Sequence, residues 1–133
     1  MAAKRNQLRI VIVDDNADAT YTLAMLIERG GFTVTAQCYN AEEAVDCIKQ
    51  HRPDVAILAI AMPIIDGYEI ARQLRAEIDA PLKLVALSGL AQACDKSDAR
   101  EAGFDAHLTK PANWQRLEAL LTSFLEPSSP AAA

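Results

Sequence analysis

The sequence predicts an α/β protein in which a doubly wound, five-stranded parallel sheet carries helices on both faces. Short apolar runs alternate five times with segments whose apolar residues recur at helical spacing. The runs Ile10–Val13 and Val55–Leu58 are continuously apolar, which is typical of parallel strands buried on both faces. Five strand–helix units joined by short right-handed crossovers favour a three-layer sandwich, and 133 residues fit one domain.

Each predicted strand is a short, mostly apolar run that ends at polar, glycine or proline signals. The first strand ends at two acids, the second ends before an asparagine, and the third enters a loop with Pro63 and Gly67. In chain order the predicted strands are Leu8–Val13, Thr33–Tyr39, Val55–Ala59, a strand within Leu82–Leu87, and Ala106–Thr109.

Capping residues and helix breakers set the bounds of the predicted helices. Gly30 and Gly31 end the first helix, because glycine readily takes the left-handed conformation that follows a helix. Asn40 with Glu43 has the pattern of a capping box, and Pro53 stops the second helix. The predicted helices are Asp18–Arg29, Asn40 to about His51, Ile65 or Asp66 to about Glu77, Ala91–Ala102 before Gly103, and Asn113 to about Phe124 after Pro111.

Charge and composition argue against several classes of protein. The net charge is −5 and no basic run exceeds Lys4-Arg5, so no nucleic-acid partner is expected. The apolar runs have only strand length and the N-terminus has no signal-peptide pattern, so no membrane association is expected. Cys38, Cys47 and Cys94 form no zinc-ligand spacing with the two histidines, which indicates reduced thiols in a cytoplasmic protein.

The domain is predicted to occupy residues 8–125, after an N-terminal extension of residues 1–7. Residues 126–133 are rich in proline, serine and alanine and are predicted to be a disordered or linker-like tail. No further domain is expected within the tail after Phe124. The domain is therefore expected to stand alone or to have been cut from a larger protein.

Polar side chains follow three of the predicted strands where those strands end. Asp14 and Asp15 follow the first strand, Ser88 the fourth and Lys110 the fifth. An isolated Asp-Asp pair would be interpreted as a helix cap and a turn. Because ligands of open α/β sheets bind at the carboxyl ends of the strands, the convergence instead favours a functional site. Ala59 ends the third strand, so a methyl group lies where this site would carry its reactive group.

Residues 8–125 resemble the receiver domains of two-component response regulators, including chemotaxis-type receivers. The short motifs are specific through their order and spacing. The matching segments are Ile12–Asp15, Leu58–Pro63 with Asp66 and Gly67, Ala86–Gly89, and Ala102–Pro111. The resemblance implies a flavodoxin-like fold with strand order 2-1-3-4-5 and a signalling module that is not an enzyme. Gly103–Leu108 further resembles receivers of hybrid kinases.

The resemblance also implies a role for the position that Ala59 occupies. Receivers accept a phosphoryl group from a histidine kinase or a histidine phosphotransfer domain onto an aspartate four residues before the proline of the Met-Pro pair. In this sequence that position is Ala59, before Met62 and Pro63. The domain is therefore expected to be phospho-null while it keeps its kinase or phosphotransfer partner and a downstream protein partner.

The remaining roles are implied by the same resemblance. Asp14, Asp15 and the backbone carbonyl of Ala61 would bind Mg²⁺, and the missing carboxylate would weaken that binding. Ser88 would donate to a phosphoryl oxygen. Lys110, without its usual partner, would turn to Asp14 or Asp15.

Neighbouring positions bear on switching and on turnover of the phosphoryl group. His107 occupies the position, three before Lys110, where receivers often have an aromatic switch residue that acts with Ser88. It can equally be an ordinary strand residue. The apolar Leu90 and Ala61 would not orient a water, and the peptide before Pro111 is expected to be cis.

Two origins of the alanine and two other classes of protein stay open. Retention of Asp14, Asp15, Ser88 and Lys110 favours an engineered substitution over a natural pseudo-receiver that acts by protein interaction alone. A metal-dependent phosphohydrolase would lack a nucleophile and a capping insertion. A flavodoxin-like cofactor binder would lack a glycine-rich phosphate loop after the first strand.

Overall fold

The computed structural model describes residues 4–62, 64–89, 96–110 and 112–125. Within these residues five strands alternate with five α-helices, after one turn of 3₁₀ helix at Arg5–Gln7. The strands are β1 Arg9–Val13, β2 Thr33–Cys38, β3 Val55–Ala59, β4 Lys83–Ser88 and β5 Ala106–Thr109. The helices are α1 Ala17–Arg29, α2 Ala41–His51, α3 Gly67–Glu77, α4 Lys96–Ala102 and α5 Trp114–Leu125.

The five strands form one parallel sheet in the order β2-β1-β3-β4-β5. This confirms the predicted doubly wound fold and its strand order. β1 and β3 lie in the interior of the sheet. All five residues of β3 are buried, in agreement with its continuously apolar sequence. The order also brings the carboxyl ends of β1, β3, β4 and β5 to one edge.

The core consists of two layers, one on each face of the sheet. Successive residues of a strand point to opposite faces, so Val11 and Val13 enter one layer while Ile10 and Ile12 enter the other. The first layer also contains buried residues of α2, α3 and α4, and the second contains buried residues of α1 and α5. Burial of both faces fixes the register of the central strands, because a one-residue slip would exchange the two sets of side chains.

Side chains of asparagine and aspartate cap four helices. Asn16 accepts from the amide of Ala19 in α1, and Asn40 accepts from the amide of Glu43 in α2. Asp66 caps α3 through the amide of Glu69. The caps of α2 and α3 agree with the predicted starts, and Asn113, which accepts from Arg116, caps α5 as predicted. Each cap satisfies an amide that has no partner inside the helix.

Several predicted bounds were wrong by one residue or more. β2 ends at Cys38, one residue before the predicted end, and β4 extends to Ser88. Ser88 is thus the last residue of its strand rather than the first residue of the loop. α1 begins at Ala17 because Asn16 provides the cap. The described part of α4 begins at Lys96.

The segment before β1 is attached to the domain by Arg5. Its guanidinium donates to the carbonyl of Gly30 and to Glu118, each at 2.9 Å, and lies 5.0 Å from the ring centroid of Phe32. Gly30 in turn lies so close to Trp114 that a Cβ would be 2.2 Å from the indole. The beginning of the chain therefore joins the end of α1 to α5, which the sequence did not indicate.

Candidate functional site

Asp14 is fixed at the end of β1 by backbone and side-chain contacts. Its amide donates to the carbonyl of Cys38 at 3.0 Å, which continues the pairing of β1 with β2. Its Oδ1 accepts from the amide of Asn16 at 3.0 Å, and only 1% of the residue is exposed. The neighbouring Asp15 is exposed. The two acids thus differ in environment, with one carboxylate held in the protein and the other in solvent.

Lys110 forms an ion pair with the buried acid. Its Nζ lies 2.5 Å from Asp14 Oδ2, and 31% of the lysine side chain is exposed. No described residue donates an aligned hydrogen bond to Oδ2, so the contact is a charge pair rather than an ideal hydrogen bond. The Lys110 amide donates to the carbonyl of Ser88 at 2.6 Å. These contacts connect the ends of β5, β4 and β1.

Ala59 lies between these groups at the end of β3 and is 1% exposed. It is in register with Leu87 of β4, and the following amide, of Ile60, donates to Leu87 at 3.0 Å. Gly67 opens α3 directly behind it, since a Cβ there would be 2.5 Å from the Ala59 carbonyl oxygen. The methyl group of Ala59 therefore occupies a confined position at the centre of the edge.

The acidic groups of the edge do not form a larger cluster. Among the residues described, no three or more histidine, cysteine or acidic side chains are arranged to hold a metal ion. Ala61, whose carbonyl was predicted as a ligand, is exposed in the loop after β3. The predicted donors thus amount to the carboxylates of Asp14 and Asp15 with one loop carbonyl.

Ser88 contacts His107 rather than the acids. Ser88 is 2% exposed, and its Oγ lies 2.8 Å from His107 Nε2. His107 is half-buried and pairs in register with Ala86, two residues before Ser88, so the contact is a diagonal one between neighbouring strands. The predicted pairing of these two residues in a switch rested on resemblance alone. Sequence spacing could not reveal a hydrogen bond that depends on the rotamers of both side chains.

Ile64 is a feature of the site loop that the sequence analysis missed. It is a β-branched residue with φ 75°, and 85% of it is exposed. This conformation is unfavourable for a branched side chain. The pair of turn signals Pro63 and Gly67 indicated a loop, but its left-handed residue was not identifiable from residue type.

Some predictions concern residues outside the described ranges. They include the cis peptide before Pro111, the position of the apolar Leu90 beside the site, the thiol of Cys94, the helix start at Ala91 and the tail over residues 126–133. Of the other two cysteines, Cys38 is buried and Cys47 is partly buried, and both are free thiols. In the described parts of the chain, no helix has the length and apolar character needed to cross a membrane.

A cleft adjoins the site between α1 and the segment after β5. It has a volume of about 430 Å³, and Lys110 is one of its polar lining residues. Its apolar lining includes Leu23, Leu26 and Leu87. On the outer surface of α1, Tyr21 and Met25 are exposed one helical turn apart. The site edge therefore borders an apolar surface that is accessible to another molecule.

Comparison with known proteins identifies the family. The sequence profile of the response regulator receiver domain matches residues 10–122. The chain is 34% identical over 113 residues to the chemotaxis protein CheY of Bacillus subtilis (strain 168), covering 84% of this chain and 93% of that protein. It is also 34% identical over 125 residues to the probable transcriptional regulator ycf27 of Guillardia theta. That match covers 93% of this chain but 48% of the relative, so the chain spans about half the length of such relatives.

Solved structures give the same result. A putative response regulator from Chloroflexus aurantiacus J-10-fl superposes with a TM-score of 0.76 at 27% identity, covering 88% of this chain and 96% of that one. The N-terminal domain of an uncharacterized protein from Wolinella succinogenes has a TM-score of 0.76 at 31% identity, with coverages of 88% and 93%. The sequence and the strand order agree with these matches, and the chain belongs to the response regulator receiver domain family of two-component signalling.

Proposed function

We propose that this receiver domain is phospho-null, because the position of its phosphoacceptor is Ala59. The observation that carries the proposal is the placement of this methyl group. It is buried at the end of β3, between the strand that leads to Asp14 and the strand that ends at Ser88. Receivers of this family would carry a carboxylate here. The domain keeps the fold of a phosphorylatable receiver and lacks the atom that reacts.

The chemical consequence follows from the transfer reaction. In phosphoryl transfer from phosphohistidine, a carboxylate oxygen forms a bond to phosphorus while the bond from phosphorus to the imidazole nitrogen breaks. The methyl group of Ala59 has no lone pair with which to form that bond. The expected effect is therefore an absence of transfer at this position rather than a slower rate.

In a domain with aspartate at position 59, the other polar side chains of this edge would bind the transferred phosphoryl group. The Lys110 ammonium is 2.5 Å from Asp14 and would move to the acceptor and the phosphoryl oxygens, whose negative charge it would offset. The Ser88 hydroxyl would donate to one of these oxygens. We assign binding and switching, not catalytic turnover, to this site.

Mg²⁺ is the proposed metal, with Asp14, Asp15 and the Ala61 carbonyl as its ligands. These oxygen donors fit a hard cation that retains several waters. Bound Mg²⁺ would neutralise charge on a phosphoryl group. Asp14 is already engaged by Asn16 and Lys110, and a third carboxylate is missing at Ala59. Affinity is therefore expected to be lower than in a site with aspartate at that position.

The proposed partner is a sensor histidine kinase or a histidine phosphotransfer domain, followed by a downstream protein. The exposed Tyr21 and Met25 and the apolar cleft beside Lys110 support a docking surface that does not depend on the acceptor. The same surface supports the second candidate, a natural pseudo-receiver that binds partners without phosphorylation. Retention of the Asp14–Lys110 pair and of Ser88 supports an engineered origin for Ala59.

Intact mass spectrometry tests the proposal directly. The protein and its Ala59→Asp variant are each incubated with acetyl phosphate and Mg²⁺, and with a panel of phosphorylated kinases or phosphotransfer domains. The variant is expected to gain one phosphoryl mass and the protein none. A phosphoryl mass on the unmodified protein that maps to β3 or its neighbours would overturn the phospho-null assignment. Failure of the variant to gain any mass would overturn the assignment of position 59.

A further inference from the structure

The hydrogen bond between Ser88 and His107 has two possible directions. A serine hydroxyl has one proton to donate, while an imidazole nitrogen accepts when it is unprotonated and donates when it is protonated. The 2.8 Å separation between Ser88 Oγ and His107 Nε2 is compatible with both directions. The protonation of the ring therefore decides where the hydroxyl proton of Ser88 points.

We propose that His107 is a positioning residue whose protonation releases the Ser88 hydroxyl proton for donation to an oxyanion at the carboxyl edge of the sheet. The inference rests on the proposed receiver site, in which Ser88 faces the transferred phosphoryl group. Protonation of His107 then becomes part of the equilibrium by which the site binds an oxyanion. Binding of the oxyanion and protonation of His107 are then linked reactions.

The proton count defines the two states. When Nε2 is unprotonated it accepts the Ser88 proton, and the hydroxyl has no second proton for an oxyanion. When the ring is an imidazolium, Nε2–H donates to Ser88 Oγ, and the hydroxyl proton can point to an oxygen of the ligand. Formation of the imidazolium makes one N–H bond at Nε2, and its proton comes from a hydronium ion or a buffer acid in solution, which is left as water or the buffer base. An oxyanion that accepts from Ser88 thus favours a proton on Nε2. The imidazolium reaches that state by taking up a proton and the neutral Nε2-protonated tautomer does not, so a shift of the His107 titration distinguishes the proposed form.

The surroundings of His107 allow this exchange with solvent. Leu108 is buried in the core layer beneath α1 and α5, so His107, its neighbour along β5, lies on the opposite face of the sheet. The ring borders a cavity of about 190 Å³ together with Arg100 of α4 and Asp105 of the preceding turn. The residue is half-buried rather than enclosed.

The charges around the ring are of both signs. Arg100 and Asp105, which line the cavity beside His107, carry opposite charges. Asp105 is shared with Arg75 of α3, whose guanidinium lies 2.7 Å from Oδ2. Lys110, farther along β5, is paired with Asp14. Histidine is the side chain whose ordinary charge change lies near physiological pH, so a response of His107 to a ligand at Ser88 would be physiological.

The first measurement uses the protein as it exists. Two-dimensional ¹⁵N–¹H spectra of the imidazoles, at a pH above their titration, report which ring nitrogen carries the proton. For neutral His107 we expect the form with Nδ1 protonated and Nε2 accepting. Ser88→Ala should shift the ring towards the Nε2-protonated form, while Ser88→Thr should retain the original form. His51, the only other histidine, ends α2 and provides the internal control. A neutral ring protonated on Nε2 in the unmodified protein would overturn the proposal.

The second measurement tests the link to the oxyanion. In Ala59→Asp, with excess acetyl phosphate and Mg²⁺, the ring titration of His107 should move to higher pH than without acetyl phosphate. Ser88→Ala in the same background should reduce this change in proton affinity by roughly two- to tenfold, the range of one net hydrogen bond. Equal shifts of the His107 titration in Ala59→Asp and in the double variant that also carries Ser88→Ala would overturn the proposal. Absence of phosphoryl mass on Ala59→Asp would instead contradict the receiver assignment, while the first measurement would still test His107.

Discussion

Lys110 of the segment after β5 pairs with Asp14 of the segment after β1, with 2.5 Å between Nζ and Oδ2. The pair lies across the carboxyl end of β3, where Ala59 is located. It compensates the charge of a carboxylate that is 1% exposed. The charge of the buried Asp14 is therefore balanced within the edge at which Ala59 lies.

Substitution of Lys110 by methionine should destabilise the domain by about 1–3 kcal/mol, because it leaves the buried Asp14 without a cation. The partial exposure of the lysine limits the effect. Urea unfolding at neutral pH measures the free energy. A double-mutant cycle with Asp14→Asn isolates the pair, since the two substitutions should be less than additive. Additive effects would show that the contact contributes nothing to stability.

Ala59→Asp should raise Mg²⁺ affinity by roughly tenfold or more, because a third carboxylate joins Asp14 and Asp15 at short range. Isothermal titration with MgCl₂ measures the affinity. Ala59→Asn is the matched control, since asparagine has the same size without the charge and should give a much smaller gain. Equal affinities for the protein and Ala59→Asp would contradict the proposed ligand set.

Gly67→Ala should destabilise the domain by about 1–3 kcal/mol, because its Cβ would lie 2.5 Å from the Ala59 carbonyl oxygen and force the start of α3 away from β3. Gly31→Ala is a useful comparison. Its Cβ has room, with the nearest atom at 3.7 Å, but its φ of 94° is unfavourable for alanine. Its cost should be limited to about 1–2 kcal/mol of backbone strain. Thermal unfolding of the two variants compares the cost of a steric clash, at Gly67, with the cost of backbone strain alone, at Gly31.

Burial, followed by the neighbouring Cys38 thiol and the Glu43 carboxylate, raises the pKa of Cys47 above its ordinary value of 9.0. Cys47 should therefore react with iodoacetamide more slowly in the folded protein than in urea at the same pH. Peptide mapping distinguishes it from the other cysteines. Because the folded state holds the proton more tightly, this contribution to stability is present below pH 9.0 and is lost as the pH rises through the folded pKa.

Cys38→Ala provides the control for that prediction. It removes the neighbouring thiol and leaves burial in place, so it should lower the pKa of Cys47 only in part. Alkylation of Cys47 as fast in the folded protein as in urea would contradict the effect of burial.

The fold could be predicted from the alternation of apolar strands with helices. The residues at the carboxyl edge of the sheet could be predicted because they directly follow, or end, those strands. Parallel strands bring their carboxyl ends together, so the positions of Asp14, Ser88 and Lys110 along the chain were sufficient to place them at one edge. The pairing within the edge could not be predicted. Asp14 and Asp15 are adjacent in sequence and chemically identical, and only the fold buries the first of them and places it beside Lys110.

The contact of Ser88 with His107 shows the same limit. The resemblance to receivers indicated two members of a possible switch, but the direction of each side chain depends on its rotamer. The capping residues were predictable where the chain offered an asparagine or aspartate before a helix, as at Asn40 and Asn113. The attachment of Arg5 was not, because its partners lie as far away in the sequence as Glu118.

The contacts of Arg5 determine where the chain can be truncated at its amino-terminal side without loss of packing. The family profile begins at residue 10, yet the contacts of Arg5 with Gly30, Phe32 and Glu118 precede that point. A shortened protein that starts at Ile10 would also lose Leu8, which is 6% exposed. The working unit for expression and for fusion to other modules should therefore begin no later than Lys4, with any amino-terminal tag attached before it.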